Sequence, residues 1–340
     1  MNPVFFSQKI PSVKKIFLSA PFKKALVICD KRFQSSGSLK KWKENKKLQF
    51  YYVRPGEKTK SLEHLPRHIQ KINSLIPDFD KNSVLFIALG GGSVLDLTGF
   101  LASIYKRGLP LVFIPSTWLS ALDSAHGGKN ALNFKGIKNL LGTYHFPKAV
   151  FIVEELLKYN SKKLEQSAYG ELLKMAFIKG GSFYSRLKRD FFKNQTVSIQ
   201  EFIQMAVESK MKIVQKDPFE TKGERKKLNL GHTVGHIFEA VEALPHGLSI
   251  LHGLLFSLNW SYCKGFLNKK YFEEMNRLIS LTGKNRKIPL SLFKKHLRQD
   301  KKHKEGFKID FIFIKKPGEV FGRLVLEKDL IEEARRQSLL

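Results

Sequence analysis

The stretch SVLFIALGGGSVLDLTGF, residues 83–100, decides the fold of the first half of the chain. An apolar run of strand length ends in three glycines, Gly90 to Gly92, and a helical pattern begins directly after them. Backbone N–H groups at a helix N-terminus in this position can receive a pyrophosphate. The spacing is not the GxGxxG of the standard dinucleotide fingerprint, and a glycine turn that only reverses the chain has the same appearance. The strand before the glycines favours dinucleotide binding over a plain turn.

Strand patterns alternate with helical patterns around this stretch, from residue 21 to residue 150. The other apolar runs of strand length are KALVICD, LQFYYV, LPLVFIPS and AVFIV. Such alternation is typical of a parallel sheet with helical crossovers. From about residue 155 onward the patterns are helical, with one late strand in FKIDFIFIK. The sequence therefore predicts an α/β N-terminal domain over residues 1–153 and a mainly α-helical C-terminal domain over residues 154–340.

The composition is that of a globular protein with a large excess of positive charge. The 340 residues are 42% hydrophobic and carry a formal net charge of +30. Cys29 and Cys263 are too few for a disulfide framework, and no apolar run reaches the ~18 residues of a membrane-spanning helix. We therefore expect a cytoplasmic protein without a membrane partner.

The positive charge favours an anionic substrate or partner. The lysines are scattered along the chain, and no nucleic-acid-binding motif accompanies them. No specific nucleic acid is therefore predicted. A basic polyanion-binding protein without catalytic activity is the non-enzymatic alternative.

Two histidines share one face of a predicted helix in LNLGHTVGHIFEAVEAL, residues 228–244. His232 and His236 lie four positions apart, about 6 Å along a helix axis, and point the same way. Thr233 and Val234 follow His232, so the glutamate of a metalloprotease HExxH motif is missing. The pattern fits a shared site, and it also fits two histidines that only pack or cap.

Two charged residues lie in apolar surroundings in SAYGELLKMAFIKG, which predicts a buried helix. Burial of an unpaired charge costs several kcal/mol, more than the ~0.2–0.5 kcal/mol of an exposed pair between Glu171 and Lys174. Glu171 is therefore a candidate metal ligand, and Lys174 can hold an anion. His252 enters another apolar helix in LHGLLFSL. One carboxylate and two imidazoles with open positions form a catalytic zinc pattern.

Several segments together resemble the 3-dehydroquinate synthases, which are sugar phosphate cyclases. These segments are GGGSVLDLTGF, YKRG, PSTWLSALDSAHGGKNALN, KGIKNLLGTYHFP, YGELLKMAFIKG, RKKLNLGHTVGH, LHG and QDKK. They occur in the family's order and at roughly its spacing, over about residues 25 to 320. The resemblance implies a Rossmann-like NAD-binding N-terminal domain, a helical metal-binding C-terminal domain, an active site in the cleft between them, and a homodimer.

The resemblance also implies roles for individual residues, by matched motif. A Zn²⁺ or Co²⁺ ion would be held by Glu171, His232 and His252, and His236 would hydrogen-bond the substrate. The residues that would contact NAD are Asp30, Glu57, Lys60, Gly91, Gly92, Asp96, Thr117, Lys129, Lys138 and Asn139. The remaining substrate and catalytic residues would be Asp123, Lys129, Lys138, Lys174, Lys210, Arg225, Asn229 and Lys302, with Arg107 from the partner subunit.

The implied reaction belongs to the shikimate pathway of aromatic amino-acid biosynthesis. A seven-carbon keto-deoxy-sugar acid phosphate becomes 3-dehydroquinate and phosphate, and NAD is reduced and reoxidised in each turnover. The lysines and Arg225 are complementary to the carboxylate and phosphate of this substrate.

Three departures from the family pattern bear on substrate identity. Leu95 replaces a glycine before Asp96, HGLL replaces HGEA at His252, and KDPFETKGER is one residue longer than the common pattern. Two enzymatic alternatives have the same architecture: another sugar phosphate cyclase, and a metal-dependent NAD alcohol or glycerol dehydrogenase. The many cations favour a cyclase, and Arg225 with Asn229 would suit a substrate carboxylate.

Overall fold

A computed structural model of the chain describes residues 2–19, 22–77, 83–279, 287–299, 303–304 and 308–340. The chain divides into two compact units, Met1–Leu164 and Glu165–Leu340. This division falls one short helix beyond the predicted boundary after residue 153. That helix, Glu154–Leu157, belongs to the first unit: Leu156 lies in its core, and the Glu155 carboxylate accepts the backbone N–H of Ile10 at 2.7 Å.

A parallel sheet forms the centre of the first unit. The described strands of this unit are β1 Val4–Ser7, β2 Lys24–Asp30, β3 Leu48–Val53, β4 Val84–Gly90, β5 Leu111–Pro115, β6 Lys129–Phe134, β7 Ile137–Tyr144 and β8 Ala149–Val153. Six of these described strands pair in parallel in the order β1-β8-β5-β4-β2-β3. β4, β5 and β8 are buried along their whole length, which explains their continuous apolar runs.

The remaining two strands, β6 and β7, form an antiparallel hairpin that the sequence pattern did not predict. The described helices of this unit are α1 Val13–Ser19, α2 Lys40–Lys43, α3 Leu65–Leu75, α4 Gly92–Ile104 and α5 Glu154–Leu157. α4 connects β4 to its parallel neighbour β5, as the alternating pattern predicted. Val27, Ile87 and Phe151, from three of the strands, lie in one buried core with Trp42.

The second unit is mainly helical. Its described helices are α6 Lys162–Lys179, which begins just before the boundary, α7 Gly181–Asn194, α8 Ile199–Lys216, α9 His232–Glu242, α10 His246–Cys263, α11 Lys269–Ile279, α12 Leu290–Gln299 and α13 Glu327–Arg336. A small antiparallel sheet has the order β11-β10-β9, with β9 His303–Lys304, β10 Lys308–Lys316 and β11 Glu319–Leu326. The predicted late strand is β10, and its partner β11 was not predicted.

The core of the second unit joins α9 and α10 to this small sheet. Val234, Ile237 and Phe238 of α9 are buried, as the helical periodicity predicted, and they share a cluster with Trp260 and Phe311. The predicted fold class, a parallel α/β N-terminal domain followed by a mainly helical C-terminal domain, is confirmed. Within the described residues, no helix has both the length and the apolar character needed to cross a membrane.

Candidate active site

The glycine loop of the first unit lies at the carboxyl end of β4. Gly91 caps α4, and Gly92 is its first residue. A Cβ atom on Gly91 would lie 3.3 Å from Cγ2 of Thr117, and one on Gly92 would lie 3.1 Å from Oγ of Ser124. The loop therefore passes close to the segment after β5, where side chains would crowd it. The first N–H groups of an α-helix have no partner within the helix and can receive phosphate oxygens.

Three predicted NAD contacts converge on the ammonium group of a fourth, Lys60. Its Nζ lies 2.7 Å from Oδ2 of Asp96, 2.7 Å from Oδ1 of Asn139 and 3.4 Å from Oε2 of Glu57. Burial acts to lower the pKa of Lys60, but the charges of Asp96 and Glu57 outweigh burial and raise it. The cluster joins α4, β7 and the loop before α3 into one polar cradle.

The hairpin is held to this cradle by side-chain hydrogen bonds. Nδ2 of Asn133 donates to Oε2 of Glu57 at 2.9 Å, and the backbone N–H of Asn139 donates to Oδ1 of Asn133 at 2.9 Å. Asn139 has a left-handed backbone, with φ +53°. Asparagine tolerates this conformation better than most residues, which fits its position here.

The other predicted residues of the first unit have varied surroundings. Asp30 ends β2 fully buried, and its Oδ2 accepts Nε and Nη2 of Arg32 at 3.0 and 2.7 Å. The Thr117 hydroxyl donates to Oγ of Ser120 at 2.8 Å. The remaining predicted residues lie on a π-helical turn (Asp123), on the exposed face of the hairpin (Lys129, Lys138) and after α4 (Arg107).

In the second unit, Glu171 and Lys174 lie in the buried part of α6. Their side chains are 1% and 2% exposed and form an ion pair with each other. The prediction of a buried helix is therefore confirmed. α6 can approach α10 closely because Gly247 has no side chain: a Cβ atom there would lie 1.5 Å from the backbone oxygen of Ser167. This close approach brings Glu171 to the first residue of α10, His246.

Two imidazoles present Nε2 to the same carboxylate oxygen. Oε1 of Glu171 lies 3.5 Å from Nε2 of His232 and 3.3 Å from Nε2 of His246. Nδ1 of His232 lies 3.2 Å from the carbonyl oxygen of Leu230, and a carbonyl only accepts, so Nδ1 carries the proton. The lone pair of Nε2 in neutral His232 is then directed toward Glu171.

These distances suit a divalent cation. Ligand atoms about 2.0–2.1 Å from a tetrahedral zinc ion lie roughly 3.3–3.4 Å from each other. Donor atoms of Glu171, His232 and His246 all lie within 4.8 Å of one another. Burial acts to lower the pKa of His246, but Glu171 and Glu239 outweigh burial and raise it to about 10. A cation must therefore displace a proton from this imidazole.

His252, the histidine predicted as the third ligand, does not belong to this group in the described residues. It lies farther along α10, where its ring stacks on Phe238 with centroids 4.6 Å apart. His246 was missed by sequence reasoning, although PHG at 245–247 offers the same His-Gly pair as LHG at 251–253. Pro245 immediately before His246 was a signal for a helix that begins at this histidine.

His236 lies one turn beyond His232 on α9, and its ring is exposed. The ring centroids of His232 and His236 are 5.1 Å apart. The predicted pair therefore shares one face of the helix, and His236 lies beside the group without belonging to it.

Three more predicted substrate residues lie on α8 and in the segment between α8 and α9. Lys210 on α8 and Arg225 are each 5% exposed, and Nη1 of Arg225 donates to the carbonyl of Pro218 at 2.7 Å. The buried carboxylate of Asp217 accepts the backbone N–H groups of Thr221, Lys222 and Arg225 at 2.8, 3.0 and 3.1 Å. Asn229 ends the 3₁₀ helix Glu224–Asn229, and Lys302 lies outside the described residues.

Two family models match consecutive parts of the chain. They are 3-dehydroquinate synthase N-terminal over residues 50–166 and 3-dehydroquinate synthase C-terminal over residues 168–303. A 3-dehydroquinate synthase of Alkaliphilus metalliredigens is 33% identical over 297 residues, which are 84% of this chain and 82% of that protein.

A second relative and one solved structure extend this comparison. The bifunctional shikimate kinase/3-dehydroquinate synthase of Thermotoga maritima is 31% identical over 272 residues, 78% of this chain and 54% of that protein, so the chain spans about half of its length. The fold matches a crystal structure of 2-deoxy-scyllo-inosose synthase complexed with carbaglucose-6-phosphate, NAD⁺ and Co²⁺. The TM-score is 0.84 at 22% identity, with 99% of this chain and 96% of that chain covered.

Proposed function

We propose that this chain, which belongs to the 3-dehydroquinate synthase family, converts 3-deoxy-D-arabino-heptulosonate 7-phosphate to 3-dehydroquinate and phosphate. The enzyme is then a lyase of the shikimate pathway that uses NAD and a divalent metal ion. We place it in the cytoplasm and propose that it acts as a homodimer, with Arg107 serving the partner's site.

The observation that carries the proposal is the convergence of Glu171, His232 and His246 on one point. Two Nε2 atoms face Oε1 of Glu171 at 3.5 and 3.3 Å, the spacing of ligands around one cation. We therefore assign the metal to these three residues, with His246 in the place predicted for His252. Three protein ligands leave a position for a substrate oxygen, as in catalytic zinc sites.

NAD⁺, when bound, accepts and returns a hydride, and a divalent cation polarises the hydroxyl that is oxidised. We assign the cofactor to the glycine loop and to the cradle of Glu57, Lys60, Asp96 and Asn139. The helix N-terminus at Gly92 suits the pyrophosphate, and the carboxylates and amide of the cradle suit ribose hydroxyls.

The buried cations of the second unit support an anionic substrate. Lys174, Lys210 and Arg225 are each no more than 5% exposed. A carboxylate and a phosphate on the substrate are groups of opposite charge that such cations can bind. Lys174 is ion-paired with Glu171 and can hold an anionic group close to the metal ligands. His236, exposed beside His232, can hydrogen-bond the reacting oxygens.

Phosphate release from the seven-carbon acid phosphate tests the proposal. We expect turnover in the presence of NAD⁺ and Zn²⁺ or Co²⁺, loss of turnover with a chelator, and its return when metal is added back. Lys129→Ala should abolish most of the activity if the assignment of Lys129 to the substrate is right.

Three other results would each support a different function. Net accumulation of NADH with an alcohol substrate would support a dehydrogenase, and turnover only of a sugar phosphate without a carboxylate would support another cyclase. Salt-sensitive binding of a polyanion without turnover would support the non-enzymatic alternative.

A further inference from the structure

Glu239 on α9 has no role in the proposed function, yet it contacts a metal ligand directly. Its Oε2 lies 2.8 Å from Nδ1 of His246, and the opposite ring nitrogen of His246, Nε2, faces Glu171 at 3.3 Å. We propose that Glu239 is a positioning residue, which accepts the Nδ1–H of His246 and so directs the lone pair of Nε2 toward the cation.

A cation at Nε2 fixes the tautomer of His246. An ionised carboxylate only accepts hydrogen bonds, so the ring that has given up its Nε2 proton to the cation keeps the other proton on Nδ1, where Glu239 accepts it. Nε2 is then the only ring nitrogen with a lone pair available for a metal. His232 is arranged in the same way, but its Nδ1 donates to the backbone carbonyl of Leu230. Metal-binding histidines commonly donate their second nitrogen to such an acceptor, which fixes the ring and raises its basicity.

A carboxylate oxygen of Glu239 also belongs to a second group of possible metal ligands, together with His236 and His246. The distances separate the two roles. Glu171 lies at the separation of two ligands of one tetrahedral ion, roughly 3.3–3.4 Å, whereas Glu239 lies at the distance of a direct hydrogen bond. A second cation would also require His246 to lose both ring protons and bridge two metals, and His236 is exposed. The geometry favours one cation and one carboxylate that positions its ligand.

The inference rests on the proposed metal site, and zinc binding tests it without any substrate. We expect one zinc ion per chain in the unmodified protein. Removal of the acceptor in Glu239→Ala should raise the Kd for zinc by about 10- to 100-fold. Glu239→Gln keeps an acceptor of similar shape without the charge. Its Kd for zinc should therefore lie between that of the unmodified protein and that of Glu239→Ala. The d–d absorption of the Co²⁺ form should shift in both variants, because the ligand field of His246 changes.

The control is Glu208→Ala, the same substitution on the exposed face of α8, where Glu208 accepts Nε2 of Gln204 at 2.9 Å. It should bind zinc like the unmodified protein. If Glu239→Ala does not fold, Glu239→Gln gives the answer on its own. The inference would be overturned if Glu239→Gln kept the zinc Kd and the Co²⁺ spectrum of the unmodified protein, and Glu239→Ala, where it folds, did the same. Two zinc ions per chain, reduced to one in Glu239→Ala, would overturn it as well, because Glu239 would then be a ligand.

The same experiments separate this inference from the proposed function. A protein that binds one zinc ion with the expected dependence on Glu239 but releases no phosphate would refute the proposed reaction and leave the positioning role intact. A protein that turns over normally and binds zinc independently of Glu239 would do the reverse.

Discussion

The substitution Gly247→Ala tests whether the contact between α6 and α10 builds the metal centre. The added Cβ atom would lie 1.5 Å from the backbone oxygen of Ser167, whereas ordinary contacts begin near 3.4 Å. The two helices must therefore move apart by about 2 Å, because backbone cannot rotate away like a flexible side chain. A shift of this size along the line between the helices would carry Nε2 of His246 well beyond its present 3.3 Å from Oε1 of Glu171.

Two effects of opposite sign act on stability in this variant. Alanine in a helix is favoured over glycine by about 0.5–1 kcal/mol, whereas overpacking in a well-packed interior costs typically ~1–3 kcal/mol and occasionally more. A clash at 1.5 Å is severe, so we expect a net loss of unfolding free energy of about 2 kcal/mol or more. The zinc Kd should rise by at least about 100-fold, because one of the three proposed ligands is displaced.

The assay combines urea unfolding of the metal-free protein with competition for zinc against a chromophoric chelator. Gly37→Ala is the matched control, since a Cβ atom at Gly37 meets nothing within 4 Å. It should leave both measurements unchanged. Normal zinc affinity and normal stability in Gly247→Ala would refute the claim that this helix contact places His246.

Three further predictions concern the Lys60 cradle, the ion pair of Glu171 and Lys174, and Asp217 in the loop after α8. Lys60→Met should raise the Kd for NAD⁺ at least about tenfold without changing zinc affinity, because the two carboxylates and the amide of the cradle lose their shared ammonium; equal loss of zinc binding would contradict this. Lys174→Met should lower the unfolding free energy of the metal-free protein by about 3–5 kcal/mol, because it removes one member of a buried ion pair, and zinc should restore more stability to this variant than to the unmodified protein; an equal thermal shift in both would count against it. Burial acts to raise the pKa of Asp217, but the backbone N–H groups outweigh burial and lower it, so its contribution to stability is present above about pH 4 and lost as the pH falls through the folded value. Asp217→Asn should therefore be destabilised less by acid in urea titrations. If its unfolding free energy fell with pH as steeply as that of the unmodified protein, this prediction would be refuted.

Local patterns were sufficient to predict the strands and helices around the glycine loop. β4 is a continuous apolar run because both of its faces are buried, and its sequence shows this directly. The hairpin of β6 and β7 was missed because β7 is mostly exposed, so its side chains do not alternate between apolar and polar. β1 was missed because it has only four residues.

Long-range contacts decide which residues form each proposed ligand set. Lys60 meets Asp96 and Asn139 across 36 and 79 positions of sequence, and only the resemblance to a family indicated that they belong together. The proposed third metal ligand shows the limit most clearly. His246 and His252 both precede a glycine, and their local sequences do not separate them. The contact of Gly247 with Ser167, which places His246 beside Glu171, exists only in the folded chain.

Phosphate yield at limiting cofactor tests the central claim most directly. The zinc-loaded protein is given one equivalent of NAD⁺ and a hundredfold excess of 3-deoxy-D-arabino-heptulosonate 7-phosphate, and phosphate and absorbance at 340 nm are followed together. Because the cofactor is reoxidised in each turnover, phosphate should approach the amount of substrate while no NADH accumulates. Phosphate release that stops near one equivalent as NADH appears, or no release at all, would contradict the account.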